Sequence, residues 1–433
     1  MSVDVLVVGG GVAGLSAAVA AVEAGASVEV IEAGATFGGS ALLSNGSLWT
    51  FGDVSTYLEH CPGADPRLAE RTVTGLPVAL GWLRDRGVVI QDRGPSLYGA
   101  ESSYQVTPGQ LVGRLLGDLR HRATMTAGQR VTAFESAPEG ILVTTDAGRE
   151  ILAGSMVLAT GGIHADSPML IEAGLLHYVD LPIRNRPVSG DGVRLAIAQG
   201  ARVVGTADGI YGHLVPTGLA PDEVTSPLAA QYQSYAGALI GLDGSLLASP
   251  GTDDHDLNRL MTRQTARRAV LFFDASAAPP RILSAVGGTS WAGDRAAFAT
   301  AHGRHATSAA TVAELLATVA RWGLDALSAD STVAVTDALT VAPFAAVEVE
   351  PSITHAGAGI SVDASLHAAG LDNVFVGGAD IGAGFGDGYG GGLSFALTTG
   401  MAAGREAATA GRCPGASRIL AQPAAHRLLA ETP

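Results

Sequence analysis

Apolar positions along the chain gather into short runs that end in glycine. Residues 3–8, Val-Asp-Val-Leu-Val-Val, are apolar except for Asp4, as in a strand covered on both faces. Gly9-Gly10-Gly11-Val12-Ala13-Gly14 follows, and the alanine-rich stretch from Leu15 to Ala26 predicts a helix. A second apolar strand ends at Glu32. The same theme returns at Gly154–Leu158, which runs into Thr160-Gly161-Gly162, and at Ser189-Gly190-Asp191-Gly192, which opens a helix. Near the C-terminal end, Asn373–Val376 predicts a strand leading to Asp380. Seven glycines lie between Gly382 and Gly392, and a helix is predicted from Leu393. The alanine-rich stretch 297–320 predicts one helix carrying His302 and His305 three positions apart.

The first of these units places G-x-G-x-x-G between a strand and a helix, in a βαβ unit of about 30 residues. Gly9 permits the tight turn, Gly11 lets the backbone approach a pyrophosphate, and Gly14 lets helix and strand pack closely. The helix N-terminus supplies N–H donors and a positive dipole end. Glu32 is placed to accept hydrogen bonds from both ribose hydroxyls, which favours FAD or NAD over a phosphorylated ribose. Glycine loops at both ends of the chain suit a long FAD in an extended groove. The expected groove residues are Gly9, Gly11, Val12, Ala13, Gly14, Glu32, Ala33, Gly38, Gly39, Ser40, Ser44, Asn45, Gly46, Val131, Thr160, Gly161, Gly162, Asp191, Asp380, Gly391, Gly392, Leu393 and Ser394. Gly400 and Gly404 read as turn glycines. The fold class expected is α/β, a Rossmann-like parallel sheet with helices.

Composition narrows the chemistry. The 433 residues carry 26 basic and 41 acidic side chains, a net charge of −15, and every basic residue is arginine. No lysine is available for a Schiff base or a phosphate loop. The acidic balance argues against nucleic acid and anionic membrane surfaces as partners. A hydrophobic fraction of 47% excludes disorder. Cys61 and Cys413 each stand beside a proline and form neither a disulfide framework nor a metal cluster. No apolar run reaches the roughly 20 residues of a membrane span. The expectation is a cytoplasmic protein with no integral membrane segment and no leader ahead of the first strand.

Together these segments resemble the flavoprotein family of fumarate reductases, succinate dehydrogenases, tricarballylate dehydrogenases and 3-ketosteroid dehydrogenases. The resemblance runs through Gly9–Gly14, Glu32, Gly38–Trp49, Ala159–Gly162, Gly190–Gly192, Pro351–Ile360 and Val376–Leu393. It implies an FAD-binding domain interrupted by an inserted α+β cap: residues 1–209, a cap at 210–333, and a return at 334–433. It also implies hydride transfer at the flavin N5. Relatives with covalent FAD attach it through a histidine near the first glycine loop. Residues 34–48 contain no histidine, so non-covalent FAD is expected.

Candidate catalytic residues also follow from the resemblance. The family's dicarboxylate enzymes use two arginines, and the corresponding places here fall near Asp254 or His255 and near Tyr389 or Gly390. Cap arginines Arg263, Arg267 and Arg268 are the possible substitutes. His213 resembles a histidine at the start of the cap, and His355 one beside the flavin. Tyr389 and Tyr104 lie near tyrosine positions of the ketosteroid branch, with Tyr232 and Tyr235 as further candidates in the cap. The expected catalytic set is Tyr389, His355, Tyr104, His213 and His255. The expected reaction moves a hydride at a carbon–carbon bond α,β to a carbonyl of a cyclic or hydrophobic small molecule, with an external electron acceptor or donor. The alternatives are a fumarate- or tricarballylate-type enzyme, marked by two convergent arginines, and a flavin-binding redox scaffold, marked by a closed flavin face.

Overall fold

A computed structural model describes residues 2–95, 100–186, 188–206, 208–277 and 295–411. Cys413 and the C-terminal tail lie outside the described residues. The strand Ser2–Val8 pairs in parallel with Val28–Glu32 on one side and Glu150–Leu158 on the other. Thr124–Ala127 extends the sheet past Val28–Glu32, and Val374–Val376 adds a parallel strand beside Met156–Leu158. The strands Gly140–Thr145 and Val131–Ala137 continue it antiparallel. Val5–Val7 are fully buried, as expected of a strand covered on both faces. Five strands therefore run parallel, and the turns after four of them, beginning at Gly9, Ala33, Ala159 and Gly377, open side by side at one end of the sheet. In open α/β sheets this is the end that binds ligands.

The helix Val12–Glu23 is buried from Val12 through Ala21, because it lies between the sheet and the long helix Gly392–Ala410. Gly400 and Gly404 are inside that long helix rather than in turns. A Cβ at either would collide with the carbonyl oxygen of Ala13 or Ala17. Their small size sets the helix–helix distance, a packing role that turn statistics do not register.

A second sheet forms the other lobe. Its order is Leu214–Pro216, Phe344–Pro351, Ala269–Asp274, Ala238–Gly241 and Leu246–Ala248, with Ala306–Ala309 also pairing on Phe344–Pro351. The strand Phe344–Pro351 joins this sheet although it lies beyond residue 333. Its apolar pattern alone does not say which sheet it enters. The stretch 297–320 is not one helix. It divides into the helix Arg295–His302, the strand Ala306–Ala309 and the helix Val312–Ala320. Gly303 breaks the first helix, and Thr311 caps the second by accepting from Glu314 N at 3.2 Å. His302 and His305 consequently separate, each with its own carboxylate, Glu223 at 2.7 Å and Glu348 at 2.5 Å. Among the described residues no helix is long and apolar enough to cross a membrane.

Gly404→Leu should therefore lower stability by about 1–3 kcal/mol through overpacking, read as a fall in thermal midpoint. An unchanged midpoint would show that the helices do not meet there as described.

Candidate active site

A continuous open cleft lies at the carboxyl ends of the parallel strands. Its floor is made by the first glycine turn. Gly9 has φ of +106°, and a Cβ there would collide with the Ala159 carbonyl. A Cβ on Gly14 would collide with the Gly9 carbonyl, which fixes how closely helix and strand approach. Gly11 is different. Its φ is −74°, a conformation open to any residue, and a Cβ would meet only Gly39 Cα at 4.0 Å. The space beside Gly11 belongs to the cleft, at a helix N-terminus with no side-chain cap. Glu32 lines the same cleft, held by Gly10 N at 2.7 Å and Gly34 N at 2.6 Å. An uncapped helix end, an open glycine and an oriented carboxylate fit the pyrophosphate and ribose of a dinucleotide.

The expected groove residues divide into two groups. Gly11, Val12, Ala13, Glu32, Gly39, Ser40, Ser44, Asn45, Thr160, Gly161, Gly392 and Leu393 line the cleft. The remainder stand behind it. Asp380 is fully buried and turned away from the cleft, accepting from Thr160 N at 2.5 Å, Gly162 N at 2.7 Å and the Thr160 hydroxyl. Burial pushes its carboxyl up, against these donors. It ties the C-terminal return to the Thr160 turn. Asp191 pairs with Arg130 and Ser189. Ser394 accepts from Trp49 N at 2.9 Å. Gly46 and Gly391 bring backbone against Val106 and Trp49. Gly38 and Gly162 take the left-handed backbone their turns require. Ala33 follows the strand that ends at Glu32, and Val131 is a buried strand residue.

Beyond the groove the cleft widens into a chamber walled by both lobes. The rings of Tyr211 and Tyr389 stack at 3.5 Å and 4° between planes. Trp49 packs edge-on to Tyr389, and Phe385 tilts against it. The Tyr389 oxygen accepts from Gly392 N at 2.9 Å, and burial pushes its hydroxyl up to about 12. His355 faces Phe385, and burial, with His164 nearby, drops it to about 3, so it is neutral. His213 is buried, its Nδ1 2.5 Å from Asp254 and its Nε2 3.4 Å from the Tyr232 hydroxyl. Burial lowers the His213 pKa, while Asp254 opposes the shift.

Two arginines enter this chamber, and neither is among the expected substitutes. The Arg295 guanidinium lies 4.9 Å over the Tyr232 ring, with Nε donating to Ala230 O at 2.7 Å. Its Nη1 and the Arg184 Nε are buried without a hydrogen-bond partner among the described residues. Arg184 acts on His213, Tyr232 and Tyr389. Arg263, Arg267 and Arg268 are instead engaged by Asp208, the Val179 carbonyl and Glu348. Arg184 and Arg295 stand in no glycine motif, and only the fold brings them together.

Three candidates fall outside the cleft lining, and one of them, Tyr235, is exposed on the surface. Tyr104 lies on the strand Ser103–Gln105 and packs against the main core, while its neighbours Ser103 and Gln105 line the cleft. Strand alternation turns it to the other face. His255 is buried behind Tyr211, at 5.8 Å between ring centroids, with both nitrogens unpartnered among the described residues. Burial drops it to about 4.

The FAD binding domain family matches residues 4–394. The chain belongs to the FAD binding domain family. Its cofactor is FAD, which would lie along the glycine turns and supply hydride chemistry at its ring. The vinyl phenol reductase of Lactiplantibacillus plantarum is 29% identical over 240 residues, 47% of this chain and 47% of that protein. The NADH:fumarate oxidoreductase of Klebsiella pneumoniae is 30% identical over 202 residues, 40% of this chain and 22% of that protein. The chain thus aligns with half or less of these relatives' length. Among solved structures, a 3-ketosteroid Δ1-dehydrogenase from Sterolibacterium denitrificans has a TM-score of 0.72 at 15% identity, covering 94% of this chain and 99% of that one. A flavocytochrome c3 fumarate reductase in an open conformation has a TM-score of 0.71 at 20% identity, covering 95% and 79%. These likenesses show a shared fold.

Gly11→Val should fill the space beside the helix N-terminus without straining the backbone. FAD affinity should fall about 10-fold or more, roughly 1.4 kcal/mol, with the circular dichroism unchanged. Retained affinity would place the pyrophosphate elsewhere.

Proposed function

We propose that this FAD-dependent protein moves a hydride between the flavin and a carbon–carbon bond α,β to a carbonyl. Its substrate is a planar cyclic or hydrophobic small molecule. The observation that carries this reading is the aromatic wall of Tyr211, Tyr389, Trp49 and Phe385 along the chamber. Such a wall favours flat, conjugated substrates over short aliphatic acids. The relative named vinyl phenol reductase supports an unsaturated, ring-bearing substrate. Within the chamber, His355 is neutral and suits hydrogen bonding to a carbonyl rather than charge pairing. FAD is held non-covalently, and an external donor or acceptor exchanges electrons with it.

Arg184 and Arg295 favour a second reading, a dicarboxylate or tricarboxylate substrate. Buried guanidinium N–H groups without partners are suited to carboxylate oxygens. The two readings make opposite demands on the substrate.

Anaerobic reduced protein should be mixed with cyclohex-2-enone, cinnamate, 4-vinylphenol, fumarate and aconitate in turn, following the return of oxidised flavin absorbance. Cyclohex-2-enone or cinnamate should reoxidise the flavin about 10-fold faster or more than either aliphatic acid, and reoxidation by 4-vinylphenol alone would keep the ring-bearing substrate but remove the carbonyl. Reoxidation by fumarate alone would overturn the first reading in favour of the second. In the reverse direction, bleaching of the oxidised flavin by succinate or tricarballylate but not by cyclohexanone or 3-phenylpropanoate would do the same.

A further inference from the structure

The chamber contains a line of three side chains whose order suggests proton movement. His213 is held on every side. Its main chain exchanges hydrogen bonds with Ser352, whose hydroxyl donates to the His213 carbonyl at 2.6 Å. Its ring sits edge-on between Tyr211 and Tyr232, each at 4.8 Å. The imidazole therefore cannot turn over without breaking both contacts. Asp254, at the first turn of the helix Asp254–Thr262, presents its carboxylate to Nδ1 at 2.5 Å. A carboxylate there fixes the proton on Nδ1 and leaves the Nε2 lone pair pointing at the Tyr232 hydroxyl. Tyr232 lines the cleft. Burial and the Asp254 carboxylate push the Tyr232 hydroxyl up, while Arg184, Arg295 over its ring and the Tyr211 side chain favour the ionised form.

We propose that Tyr232, His213 and Asp254 form a proton relay in which Tyr232 exchanges the proton with the substrate carbon. The inference rests on the hydride chemistry proposed above. In dehydrogenation the Cα–H bond breaks and its proton forms the new Tyr232 O–H bond. The proton previously on Tyr232 passes to His213 Nε2, giving an imidazolium beside the Asp254 carboxylate. The electron pair of the Cα–H bond becomes the second bond of the alkene as a hydride leaves the β-carbon for the flavin. The imidazolium proton returns to water after product leaves. Reduction runs the same steps backwards. Tyr232 is the catalytic residue, and His213 and Asp254 act through it. Arg184 and Arg295 then have a role that needs no substrate carboxylate, since they stabilise the transient tyrosinate.

Two measurements on the full FAD-loaded chain test the relay. Nitrogen-15 NMR of the histidine side chains should show His213 protonated at Nδ1 and bare at Nε2, with that preference lost in Asp254→Asn. His213 protonated at Nε2 in the unsubstituted protein would overturn the relay. In rapid mixing with whichever panel compound reacts fastest, Tyr232→Phe should lower the maximal rate about 100-fold or more and leave KM within a few-fold. Asp254→Asn should also lower the maximal rate rather than raise KM, and the exposed neighbour Tyr235→Phe should change neither. A Tyr232→Phe rate equal to that of the unsubstituted protein would overturn the relay. Should no panel compound react, the function proposed above falls, while the His213 tautomer still decides for or against the relay.

Discussion

Side chains are missing where two helices and four strand ends converge, and the rest of the site depends on that space. Gly14 brings the first helix against the Gly9 carbonyl, and Gly400 and Gly404 bring the last helix against the first. Any side chain at these points would push the layers apart by an ångström or more, and interiors do not absorb such a change without cost. Because the layers close there, Gly11 is left facing open cleft, and the uncapped helix end points into it. Asp380 completes the frame by binding the Thr160–Gly162 turn from behind. Segments more than 200 residues apart in sequence thus hold one groove.

The sequence showed the groove more clearly than the chamber. A glycine between a strand and a helix has few steric explanations, so Gly9, Gly11 and Gly14 could be assigned roles from spacing alone. The same reasoning misjudged Gly400 and Gly404, since a helix-packing glycine and a turn glycine look alike without knowledge of the facing helix. Tyr104 shows a related limit. Its neighbours Ser103 and Gln105 reach the cleft, and the one-residue phase of a short strand decides which side chain faces in. Arg184 and Arg295 lie 111 positions apart in no motif, and only the packing of the two lobes makes them neighbours of Tyr232. Asp254 was visible as a position near the family's acid slot, but its partnership with His213 is a tertiary fact.

The chamber's charges can be read in two ways. A buried Arg295 and a half-buried Arg184 beside a neutral His355 and a His213–Asp254 pair bring more positive than negative charge to the chamber. A substrate carboxylate would neutralise it in the ground state. A tyrosinate at Tyr232 would neutralise it only as the proton moves, which concentrates the stabilisation where it accelerates reaction. The aromatic wall beside Tyr232 favours the second arrangement, because a flat conjugated ligand laid along Tyr211 and Tyr389 would bring its α-carbon toward Tyr232.

The most direct measurement is a crystal structure of the FAD-loaded protein with cinnamate bound. The ring should lie along the Tyr211–Tyr389 wall, with the α-carbon about 3–3.5 Å from the Tyr232 oxygen. A ligand whose carboxylate is gripped by both Arg184 and Arg295, with its α-carbon out of reach of Tyr232, would contradict both the substrate class and the relay.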